Sequence, residues 1–76
     1  MTTLVLGGTG FIGKRAIPRL VQLGQKVTVM DINPGSANFD AFGDSVDVIR
    51  GDIIQFEDVI KAILHSKPDR IMNLAY

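Results

Sequence analysis

The chain contains no cysteine. That removes disulfides, thiolate zinc sites and thiol nucleophiles together. It also has no tryptophan, one histidine (His65) and one tyrosine (Tyr76). A lone histidine with no cysteine to share a metal predicts no metal site. Near a helix end, His65 reads as a solvated residue favoured there by the helix dipole. An excess of charge of one sign is missing too: eight basic residues balance eight acidic ones, with no block of either. Neither a nucleic-acid surface nor a strongly acidic partner is expected. No run of eighteen apolar residues exists, so no membrane span is expected. The start, Met1 to Leu6, lacks a basic region and its apolar run breaks at Gly7, unlike a secretory leader. A chain without cysteine fits a reducing compartment, and a cytoplasmic location is the expectation.

What remains is the composition of a folded domain. The 76 residues are 46% hydrophobic and 21% charged, with a mean hydropathy of +0.24, too apolar for a disordered tail. The length allows one domain, which buries about 60% of the surface its unfolded chain exposes. Thr3 to Leu6 is short, apolar and partly β-branched, as a buried parallel strand requires. Ile12, Ala16, Ile17, Leu20 and Leu23 then recur at helical spacing, and Gly24 can close that helix. Lys26 to Met30 predicts a second strand and Val46 to Arg50 a third. Asn33-Pro34-Gly35-Ser36 is turn chemistry, and Ala37 to Phe42 reads as one helical turn or a loop. Phe56 to Ser66 predicts a second helix, with Glu57 and Asp58 in its first turn and Val59, Ile60, Ile63 and Leu64 as its apolar stripe. Pro68 stops it, and Arg70 to Leu74 predicts a fourth strand. Phe11, Phe39, Phe42 and Phe56 read as core or loop packing. Pro18 lies inside the first helix, where it deletes a hydrogen bond to the Lys14 carbonyl at a cost of about 3 kcal/mol, partly relieved by a kink. Strands alternating with helices imply a parallel sheet with right-handed crossovers.

The chemistry lies at the strand ends. Gly8-Thr9-Gly10-Phe11-Ile12-Gly13 satisfies G-x-G-x-x-G, and Gly7, Gly10 and Gly13 also satisfy G-x-x-G-x-x-G. The first glycine permits a tight turn out of the strand. Gly10 lets the backbone approach a pyrophosphate, and Gly13 lets the helix pack closely on the sheet. Free N–H groups at the helix start then face the phosphates. The motif follows a strand, opens a helix and sits in a βαβ unit, the context that a dinucleotide site needs.

Asp31 ends the second strand, eighteen positions after Gly13. A carboxylate there can accept hydrogen bonds from the adenosine ribose hydroxyls and repel a 2′-phosphate. Ile32 follows it, so no adjacent arginine is supplied for that phosphate, and the cofactor expected is NAD(H) rather than NADP(H). The competing reading of Asp31 is a turn residue before Asn33-Pro34. Asp52 closes the third strand, where it can accept from the adenine amino group with Ile53 packed on the ring. Gly-Asp is equally ordinary loop chemistry.

These residues, together with Asn73-Leu74-Ala75 after the fourth strand, resemble the extended short-chain dehydrogenase/reductases, the group of the NAD-dependent sugar-nucleotide epimerases and dehydratases. The resemblance covers the whole chain, and four motifs fall in order. It implies an α/β fold, a parallel four-stranded half-Rossmann sheet in strand order 3-2-1-4 with flanking helices. By the same resemblance, Gly7, Gly10, Phe11, Ile12 and Gly13 would cradle the pyrophosphate. Asp31 would hold the ribose, and Asp52 and Ile53 would contact adenine. Leu74 and Ala75 would lie under the cofactor near the nicotinamide. Asn73 and Tyr76 stand where many members show His and Ala.

Members of that family are several hundred residues long, and their Tyr-x-x-x-Lys pair and catalytic Ser/Thr lie beyond the fourth strand. This chain has no Tyr-x-x-x-Lys, so no catalytic residue is expected in it. Residues 1–76 are expected to form a single N-terminal dinucleotide-binding fragment that holds NAD weakly and turns nothing over. Its open fourth strand, Ile71 to Ala75, predicts a homo-oligomer built through that edge. Two other readings stand beside this one: a non-enzymatic dinucleotide-binding or redox-sensing module, and a structural fragment that only self-associates.

Overall fold

A computed structural model describes residues 1–7, 11–33 and 39–74, with Phe11 and Asp40 described by backbone alone. Four strands, β1 (Thr2–Leu6), β2 (Lys26–Asp31), β3 (Val46–Arg50) and β4 (Arg70–Asn73), form one sheet in the order β3-β2-β1-β4. Every pairing is parallel. Two helices connect them, α1 (Phe11–Gln22) and α2 (Phe56–Ser66), and a 3₁₀ segment, Asp40–Ser45, precedes β3.

The alternation of side chains along each strand divides the core in two. Val5, Val27, Val29 and Val46 pack with Ile17 and Leu20 of α1 and with Phe39 on one face of the sheet. Leu4, Leu6 and Met30 pack with Ala62 of α2 on the other. The inner strands β1 and β2 are buried on both faces, which is why they read as near-continuous apolar runs. Two buried threonines fit among them. The Thr3 hydroxyl donates to Gln25 Oε1 at 2.5 Å, and among the described residues no buried side-chain nitrogen or oxygen lacks a partner.

The helix ends follow their sequence signals. Gly24 adopts φ +81°. The Gln25 N–H donates to the Leu20 carbonyl and the Gly24 N–H to that of Val21, at 3.1 and 3.0 Å. This is a Schellman closure, and it needs the left-handed residue that glycine supplies without a Cβ clash. α2 ends on Lys67 in the left-handed region, its N–H donating to the Ile63 carbonyl, and Pro68 prevents continuation. α1 runs through Pro18, with Ile17 and Leu20 facing the sheet and Pro18 itself half-buried.

Some expectations are corrected. Leu23 lies beyond the end of α1 and is 63% exposed, and Ile12 is 48% exposed, so neither belongs to the buried face of that helix. Only Val59, Ala62 and Ile63 of α2 meet the core. Ile60 and Leu64 are exposed, as is Phe56, because α2 has no further layer on that side among the described residues. Of residues 37–42, read as one helical turn or a loop, 37 and 38 lie outside the described residues, and Asp40–Ser45 is a 3₁₀ segment interrupted at Gly43. Of the expected turn Asn33-Pro34-Gly35-Ser36, residues 34–36 lie outside the described residues. Phe39 is buried, and its ring centroid is 6.4 Å from that of Phe42, so those two aromatics pack as expected.

Candidate functional site

In a parallel sheet the ligand crevice opens at the carboxyl ends of the strands, at the point where the strand order reverses. Here that point lies between β1 and β4, with α1 on one face and α2 on the other. The ends are held together beyond the strands themselves. The Gly7 N–H donates to the Met30 carbonyl at 2.8 Å, the Gly51 N–H to that of Asp31 at 3.0 Å, and the Leu74 N–H to that of Leu6 at 2.8 Å.

Gly7 has φ +80°, a conformation that turns the chain sharply out of β1 and that a side chain would strain. Gly13 is buried within the first turn of α1, as close approach of helix to sheet requires. Ile12 is exposed beside it. Gly10 and Ala75 lie outside the described residues, as does the side chain of Phe11.

Asp31 is the last residue of β2 and half-buried. Its Oδ1 accepts the Asn33 N–H at 3.0 Å. That bond is the turn role expected of it. Asp52 repeats the pattern, its Oδ1 accepting the Ile54 N–H at 3.0 Å. The Asp52 N–H in turn donates to Asp58 Oδ2 at 2.9 Å, which ties the end of β3 to the first turn of α2. Ile53 is half-buried and packs on the Leu4–Met30 core. Leu74 packs on the opposite core, against the α1 side.

A cleft of about 370 Å³ opens at the ends of β2 and β3, lined by Ile32, Arg50, Gly51, Asp52 and Asp58. Two of these residues have roles that sequence reasoning missed. A Cβ built on Gly51 would lie 2.6 Å from Met30 Sδ and 3.3 Å from Asp58 Cβ, so glycine is needed there by the close approach of both. Arg50 stands directly beside Asp31 in the ladder. No local signal marks either neighbour, since both come from other elements.

A second cleft, of about 440 Å³ and lined by Val21, Gly24, Gln25, Lys26, Asp44 and Ser45, lies at the opposite, amino end of β2. His65 is also remote from the strand ends. Instead of being merely solvated, it meets Asp47 of β3, Nε2 to Oδ2, at 2.6 Å. Both side chains are about half exposed, so the pair contributes at most about 1 kcal/mol. Among the described residues no three His, Asp or Glu side chains converge as metal ligands, and no helix is long and apolar enough to cross a membrane.

Residues 3–76, which carry the glycine turn after β1, the buried glycine opening α1 and the aspartate ending β2, match the family model of the NAD dependent epimerase/dehydratase family. The chain belongs to that family. Among solved structures, dTDP-glucose 4,6-dehydratase from Bacillus anthracis str. Ames, in complex with NAD, is 27% identical with a TM-score of 0.81. The match covers 99% of this chain and 26% of that one. UDP-glucose 4-epimerase from Thermus thermophilus, also in complex with NAD, is 31% identical with a TM-score of 0.80, covering 99% of this chain and 24% of that one. A Rossmann-fold NAD(P)-binding family protein from Shigella flexneri, 20% identical with a TM-score of 0.82 over 97% of this chain and 36% of that one, shares the fold. This family member therefore spans about a quarter of the length of the dehydratase and the epimerase it resembles. A comparison with curated protein sequences finds no significant match.

Proposed function

We propose that the chain binds NAD(H) across the carboxyl ends of β1, β2 and β3 and is the cofactor-holding portion of an NAD-dependent epimerase, dehydratase or reductase. The observation that carries this is Asp31, a carboxylate fixed at the end of β2 next to the strand that ends in the Gly7 turn. In this reading Gly10, Phe11, Ile12 and Gly13 receive the pyrophosphate with backbone N–H groups, Gly7, whose own N–H is bonded to the Met30 carbonyl, supplies the turn that leads to them, and Asp31 accepts from the ribose hydroxyls. Asp52 and Ile53 border the adenine, and Leu74 and Ala75 lie under the nicotinamide side. Bound NAD supplies a hydride acceptor. The residues of this chain bind and orient it and, with no Tyr-x-x-x-Lys among them, turn over no substrate by themselves. A cytoplasmic address belongs to the same proposal, in keeping with a cysteine-free chain.

Calorimetric titration of the chain with NAD+ and NADP+ tests the cofactor. Heat with NAD+ and at least tenfold weaker binding of NADP+ is the expected result. Equal heats, or none with either, would end the assignment.

Self-association is the second part of the proposal. β4 is an edge strand, and Phe56, Ile60 and Leu64, spaced four apart on α2, are exposed, as is Ile71 of β4. Open edges and contiguous apolar surface both favour pairing with another chain. Sedimentation velocity should show a dimer or larger species whose share grows with concentration. A monomer throughout the accessible range would contradict it.

A further inference from the structure

The choice between NAD(H) and NADP(H) is usually argued from the residue ending β2 and the one after it, here Asp31 and Ile32. The ladder adds a third residue. Asp31 pairs with Arg50, in the series Val27 with Val46 and Val29 with Val48. Residues paired in this way project from the same face of a sheet, on strands about 4.8 Å apart. Val27, Val29 and Val46 all pack on the α1 side, so by strand alternation Asp31 and Arg50 project from that face, at the carboxyl ends of β2 and β3.

The charges around Arg50 are uneven. Asp52 and Asp58 line the same cleft, and both carboxylates accept backbone N–H groups. Arg50 is largely exposed and, among the described residues, forms no ion pair. A guanidinium is the side chain best matched to a phosphate, which it grips with two parallel hydrogen bonds. With Asp31 ionised beside it, the carboxylate's repulsion of a 2′-phosphate opposes that attraction.

Resting on the NAD(H) reading above, we propose that Arg50 is a latent binding residue for the 2′-phosphate of NADP(H), held in check by Asp31. Cofactor choice is then a property of the cross-strand pair, and loss of the single Asp31 charge switches it.

The test is calorimetry of NAD+ and NADP+ binding to the whole chain as wild type, D31N, R50Q and D31N/R50Q, with far-UV circular dichroism to verify folding. Asparagine keeps an oxygen for the Asn33 N–H, and D31S serves if D31N fails to fold. D31N should bind NADP+ at least tenfold more tightly than wild type does, and D31N/R50Q should lose that increase. An increase that survives in the double variant, or no increase in D31N while wild type still binds NAD+, overturns the role of Arg50. A wild-type chain that binds neither dinucleotide overturns the cofactor reading itself, and this one with it.

Discussion

The Leu4→Ala variant is expected to lose about 2–5 kcal/mol of stability. Leu4 is fully buried at the centre of β1, and it packs with Leu6, Met30 and Ala62 in the smaller of the two cores. β1 lies between β2 and β4, so its neighbours cannot close over a void without disturbing two ladders. A domain of this length has roughly 4–11 kcal/mol in all. The substitution therefore removes a large fraction of it, and part of the population should be unfolded at ambient temperature. Urea unfolding followed by circular dichroism measures the loss. A midpoint corresponding to less than about 1 kcal/mol, below the usual range for such a truncation, would mean that α2 can settle onto the sheet, and that this core is softer than its packing implies.

The second large effect is expected at Gly51, in the opposite sense of packing. In Gly51→Ala the new Cβ would lie 2.6 Å from Met30 Sδ and 2.9 Å from Met30 Cγ. Met30 is 1% exposed, so its thioether cannot swing out to solvent. Overpacking of this kind costs about 1–3 kcal/mol. Asp58 Cβ, at 3.3 Å, would be pushed as well, and with it the bond from the Asp52 N–H to the Asp58 carboxylate. The cause is separable by a double-mutant cycle. Met30→Ala makes a cavity next to the intruding methyl, so G51A/M30A should be less destabilised than the sum of the two single variants, with a coupling of about 0.5–3 kcal/mol. Thermal melts of the four proteins provide the cycle, and strict additivity would show that Gly51 matters for some reason other than its contact with Met30.

Most element limits were legible in the sequence because their causes are local, whereas the strand order came only with the family resemblance. β1 and β2 are buried on both faces, and such strands can only be written as apolar runs. α1 closes at Gly24 because a Schellman turn needs a left-handed residue, and α2 begins and ends where its acidic first turn and Pro68 place it. The glycine turn at Gly7 was readable for the same reason: its φ of +80° excludes most other residues. The exposed row Phe56, Ile60 and Leu64 was not readable, since helical spacing shows that a stripe is apolar but not which part of it finds a layer to cover it. Asp47 and His65 are eighteen residues apart, and nothing near either one indicates the other. Gly51 with Met30, and Arg50 with Asp31, are likewise products of strand register. Register appears only once the strands are paired, so the candidate site was legible strand by strand and not across strands.

The all-parallel sheet also shapes how this chain folds. Parallel neighbours cannot be joined by a tight hairpin, so each ladder forms only after a crossover has closed. β1 and β4 are the extreme case: the Thr2 N–H and the Asp69 carboxylate that meet beside them are 67 residues apart. Loop-closure entropy must be overcome before such contacts return any stabilisation, which slows folding relative to a helical bundle of the same size. Until β4 docks, β1 itself is an edge. The strand that leads into the glycine turn thus depends for its cover on a strand distant from it in sequence.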